Sequence, residues 1–100
     1  MTTQEMADLF EKQNKEYLQF ANVIVRFCNR PDLHAMILLN EIADDDCSDI
    51  VCRAPDTYNE FAFRLDVDNI AANITEEQII DLIRCGVMYD KQHNILTMFF

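Results

Sequence analysis

Residues 60–68, EFAFRLDVD, alternate without a break: Phe61, Phe63, Leu65 and Val67 fall to one side of an extended chain, and Ala62, Arg64, Asp66 and Asp68 to the other. Successive side chains of a strand point to opposite faces, so the pattern predicts a half-buried strand over 60–68. The fold class turns on this stretch, because most of the chain around it has helical period.

Upstream, Thr2 and Glu5 have the spacing of a capping box, and Met6, Leu9, Phe10, Tyr17, Phe20, Ile24 and Phe27 recur at three- and four-residue steps. One helix running to about residue 28 is expected, with a strand as the alternative for the β-branched segment NVIVRF, 22–27. Pro31 suits the first position of a second helix that ends near Ala43, with Leu33, Met36 and Ile37 on its buried face and Leu38, Leu39 and Ile42 widening it. Downstream, Thr75 with Gln78 forms another capping box, Ile79, Ile80, Leu82 and Ile83 form a buried side, and Gly86 supplies a left-handed stop. VMY (87–89) and ILTMFF (95–100) read as strands joined through DKQHN. The expectation is therefore one α+β domain spanning 1–100: three helices packed on a small antiparallel three-stranded sheet ending in a C-terminal β-hairpin. The closing helix and hairpin are similar to the end of a winged helix, but lack the basic residues that would enter a groove.

The net charge is −10, and it is unevenly spread. Residues 1–31 balance, whereas residues 40–68 hold nine acids against Arg53 and Arg64. Such a field repels phosphate backbones and anionic membranes and attracts basic surfaces. Asp44, Asp45 and Asp46 follow the end of the second helix, where the helix dipole opposes each carboxylate by about 0.3–1 kcal/mol. Helix stability alone would not place them there, although Asp46 has a local use as cap of a short helix starting at Cys47.

Metal and catalytic readings fare poorly. Asp44-x-Asp46-x-Ser48 opens like a calcium loop, but the sixth position is Asp49 where Gly is needed and the twelfth is Pro55 where Glu belongs. Cys47 and Cys52 form one loose pair, with Cys28, Cys85, His34 and His93 scattered elsewhere, which is not a zinc signature. A single glycine argues against a phosphate cradle, and no nucleophile elbow or HExxH is present. No catalytic residue, metal or cofactor is assigned, and an enzyme is not expected. No apolar run approaches the roughly 18 residues of a membrane span, and the acids in MTTQEMADLFEK are unlike a signal peptide. The cytoplasm, with reduced cysteines, is the expected location.

The leading expectation is a small acidic module that docks on a basic surface of a nucleic-acid-handling protein or complex, as a nucleic-acid mimic or inhibitor. Asp44, Asp45, Asp46, Asp49, Asp56, Glu60, Asp66 and Asp68 would carry the charge, and Ile50, Val51 and Tyr58 the apolar contact. Phage-encoded inhibitors of host restriction or CRISPR machinery resemble the chain in size and charge, a likeness of composition alone. The alternative is a structural or oligomeric subunit, a homodimer for instance, associating through apolar surface and the exposed edge of the C-terminal strand.

Overall fold

The computed structural model describes residues 1–43, 50–54 and 59–99. Its elements run α1 (Thr3–Lys12), α2 (Pro31–Ala43), β1 (Val51–Arg53), β2 (Glu60–Phe63), α3 (Val67–Asn73), α4 (Glu76–Cys85), β3 (Val87–Asp90) and β4 (Ile95–Phe99). Single 3-10 turns occur at Asn14–Glu16 and Phe20–Asn22. The class is α+β, but with four α-helices and a four-stranded antiparallel sheet among the described residues, one helix and one strand more than the pattern suggested.

Both extra elements come from the middle of the chain. Burial alternates only over 63–68, with Ala62 buried against expectation, and only 60–63 is strand. Asp66 ends it by turning its carboxylate onto the backbone N–H of Asp68, and α3 starts behind that cap. Val67, Ile70 and Ala71 of α3 then enter the core. β1 escaped notice because all three of its residues are exposed, so it carries no periodic signal; it holds to the sheet through Val51↔Phe63, Cys52↔Ala62 and Arg53↔Phe61.

The strand order is β1-β2-β4-β3. β4 therefore lies inside the sheet, paired with β2 on one side and β3 on the other. This corrects the expectation of a free edge on ILTMFF: the edge strands are β1 and β3. Phe63, Val87, Leu96 and Met98 face the helices and join Met6, Leu39, Ile70, Ile79 and Leu82 in one core.

The helix ends follow local chemistry. Both capping boxes form. Gly86 closes α4 at φ +100°, and a Cβ there would lie 2.8 Å from Leu18 Cδ2. Gly86→Ala is expected to lower stability by about 1–2 kcal/mol, the cost of a left-handed non-glycine residue, since the exposed Leu18 can move aside; chemical denaturation would measure it.

α1 stops at Lys12, not near residue 28, and the strand alternative at 22–27 does not form either. Beyond α1 the chain becomes a strap over α2 and α4. Carbonyls that a continuing helix would pair internally are taken by two arginines. Arg26 donates to Val23 O, Phe20 O and Ala21 O while lying 4.6 Å over the Phe20 ring. Arg84 donates to Asn22 O and pairs with Glu16 and Asp81. Ile24 is left 93% exposed, and Phe27 is exposed as well.

α2 is rotated from its expected face. Leu33 is exposed and Met36 and Ile37 are half-buried, while His34, Ala35, Leu38, Leu39, Ile42 and Ala43 are buried. His34 lies between Phe20 and Phe27, and its Nδ1 accepts the backbone N–H of Phe27. Its proton therefore sits on Nε2, which is buried without a hydrogen-bond partner among the described residues. Burial, outweighing the raising influence of Asp81, holds the imidazole below its ordinary value, and Arg26 lowers it further. A folded value below the unfolded one means the unfolded chain binds the extra proton. Stability should thus be full above about pH 6.5 and fall as the pH drops towards the lower folded value. The protection factor of the Phe27 amide against hydrogen exchange should fall over the same acid window, and His34→Gln should flatten the pH dependence.

Candidate protein-binding surface

Five of the eight carboxylates singled out from the sequence (Asp44, Asp45, Asp46, Asp49 and Asp56) lie outside the described residues, as does Tyr58. The remaining three are placed at two ends of β2. Glu60 begins it, on the sheet face turned from the helices, where its Oε1 accepts from Thr97 Oγ1 at 3.4 Å. Asp66 and Asp68 follow the other end, exposed at the start of α3. Ile50 packs against the core and Val51 is exposed on edge strand β1.

Asp68 joins a wider acidic surface that the fold assembles from separate segments, whereas Asp66 lines a different hollow with Arg53 and Arg64. Thr3 Oγ1 of α1 donates to Asp68 Oδ1 at 2.6 Å, joining the start of α1 to the start of α3. Alongside runs a groove of about 310 Å³ between α1 and β3. Ala7, Phe10 and Glu11, at three- and four-residue steps, line it from α1 with Asp8 beside them, Asn14 from the 3-10 turn that follows, and Val87, Met88 and Tyr89 from β3. Tyr17, from the strap, closes one end with its hydroxyl 3.7 Å from Met88 Sδ. The Phe10 and Tyr89 rings lie 6.3 Å apart at a tilt of 32°.

The electrostatics are one-sided. Asp8 and Glu11 are exposed, and neither they nor Asp66 and Asp68 make an ion pair among the described residues. Glu11 stands in the last turn of α1, where the helix dipole opposes a carboxylate. Burial raises the Tyr89 phenol, and the carboxylates of Asp68 and Asp90 push it further up. Burial likewise raises Tyr17, with a smaller push from Glu60. Both tyrosines stay neutral hydrogen-bonding phenols. Asp90 is opposed by burial, but hydrogen bonds from His93 and Gln92 outweigh that and hold its carboxyl below the ordinary range. Lys91 is the cation on this groove wall.

Sequence reasoning missed Asp8, Glu11 and Tyr89. The acids sit in the charge-balanced first third of the chain and look like an ordinary solvent face of α1, and only the fold brings the hairpin's tyrosine beside them. Among the described residues the cysteines form no competing centre: Cys28 is half-buried, Cys52 exposed and Cys85 buried, with its thiol pushed up to about 12 mainly by burial, and Cys47 lies outside the described residues. Among the described residues no three His, Cys, Asp or Glu side chains gather as a metal site, and no helix is long and apolar enough to cross a membrane. Compared with known proteins, this chain matches no protein-family profile, no curated protein and no solved structure.

Proposed function

We propose that the protein is an acidic binding module that docks on a basic surface of another protein, in its most concrete form as a nucleic-acid mimic or inhibitor occupying the nucleic-acid path of its target. The observation that supports this reading best is the set of exposed carboxylates of Asp8, Glu11 and Asp68, without ion partners among the described residues, beside an aromatic groove in a chain of net charge −10. Duplex DNA carries one charge per roughly 1.7 Å of axis, so a basic channel built for it also attracts clustered carboxylates. Charge supplies on-rate and orientation, while desolvated contacts at the groove supply affinity. The five aspartates of 44–56 lie outside the described residues and enter the reading only through the net charge. Capture of host proteins on the purified chain at low and at high salt tests the reading: basic nucleic-acid-binding proteins should be retained at low salt and shed at high salt. Retention that ignores salt would refute it.

A second reading rests on the strap. Ile24, Val25 and Phe27 of the strap are exposed apolar groups, and Leu33 of α2 and Phe99 of β4 add to them. An oligomer would form through these side chains rather than through a strand edge of β4. Light scattering would show a salt-insensitive dimer that Ile24→Asp with Val25→Asp converts to monomer.

A further inference from the structure

We propose that the groove between α1 and β3 receives an arginine side chain from the basic surface on which the protein docks. The inference rests on the docking reading above and names the contact at its centre.

The groove has the dimensions of one long side chain: its 310 Å³ is at the lower limit of cavities that enclose small ligands. Its walls combine two chemistries that a guanidinium uses together. Phe10, Tyr17 and Tyr89 present aromatic surface, and a planar cation stacks on such rings. Asp8 and Glu11 stand on the rim at three-residue spacing with no ion partner among the described residues, so a bidentate N–H fork can meet them without displacing an internal cation. Asp68 and Asp90 extend the negative field to Tyr89 from behind. Lys91 shares the rim but pairs with neither carboxylate, and one ammonium leaves the wall net negative. An anionic ligand is repelled there, and a purely apolar one would strip water from two carboxylates without compensation. Arginine fits better than lysine because the stem lies against Met88 and Ala7 while the flat head satisfies ring and carboxylate at once.

The test uses the whole chain, carrying 13C-methyl methionine, titrated at low salt with acetylated tetra-arginine amide and with its tetra-lysine counterpart. Met88 lines the groove, while Met6 and Met98 are buried in the core and serve as references. The expected result is a Met88 methyl shift that saturates with tetra-arginine, binding at least fivefold weaker for tetra-lysine, and at least fivefold loss of tetra-arginine affinity in Glu11→Gln. Tyr89→Leu should lose affinity similarly, and Glu11→Gln, at an exposed position, keeps the test valid if that variant folds poorly. Tetra-arginine binding that leaves Met88 unmoved would overturn the groove assignment while leaving the acidic docking surface standing. Equal affinity for tetra-lysine would overturn the choice of arginine. Failure of both peptides to bind would overturn the docking reading along with it.

Discussion

Replacing Asp8 and Glu11 together by lysine is expected to weaken association with a basic protein surface about a hundredfold, equivalent to about 2.7 kcal/mol, while leaving the fold intact. Close charge pairs across protein interfaces have coupling energies of about 1.5–7 kcal/mol, and reversal adds repulsion to the lost attraction. The fold should tolerate the change for local reasons. Asp8 is exposed and its one side-chain bond is to Gln4, a surface contact. Glu11 lies in the last turn of α1, where a cation suits the helix dipole better than a carboxylate. Isothermal titration gives the affinity, and circular dichroism with thermal melting verifies the fold. The loss should shrink at high salt, because screening removes most of the attraction from the parent protein too. An unchanged affinity would place the contact elsewhere on the molecule.

The second large effect concerns α3, the helix hidden inside a strand-like pattern. Ile70→Ala is expected to destabilise the protein by about 3 kcal/mol, within the 2–5 kcal/mol typical of removing a buried isoleucine side chain. Ile70 is fully buried, in a helix that packs against both α1 and α2. A loss of this size is a large fraction of the roughly 5–15 kcal/mol that stabilises a domain. It should lower Tm by about 12–24 °C in a chain of this length. Ala72→Ser, exposed on the same helix, should stay within about 0.5 kcal/mol. Equal and small effects at both positions would mean that 67–73 does not face the core.

How far the fold was legible depends on how local its causes are. The two capping boxes, the glycine stop at Gly86 and the proline start of α2 involve residues three or four apart, and each forms as read. The hairpin forms too, with Asn94 taking the positive φ of its turn. What failed was set by distant partners. Nothing near Phe20–Val23 in sequence announces that Arg84 will take a carbonyl there, so an amphipathic pattern that continues to Phe27 reads as helix when it is strap. The end of β2 was obscured differently. Asp66 fits the outward side of an alternating strand as well as it fits a helix cap, and only the burial of Ile70 and Ala71 behind it decides between them. The groove was the least legible, because its acids come from α1 while Tyr89 and Met88 come from the hairpin at the other end of the chain.

Asn69 resolves one local puzzle. The C-terminal end of α2 carries no basic residue, yet its carbonyl at Ala43 is satisfied, since Asn69 Nδ2 of α3 donates to it at 2.7 Å. A distant amide thus does what a local cation usually does.

The most direct measurement is competition on the captured partner: fluorescently labelled duplex DNA or RNA bound to that partner, titrated with the protein at fixed salt. The account predicts mutually exclusive binding, with the label released as the protein is added and little release by the Asp8→Lys, Glu11→Lys variant. A stable ternary complex, with nucleic acid and protein bound together at full affinity, would contradict it.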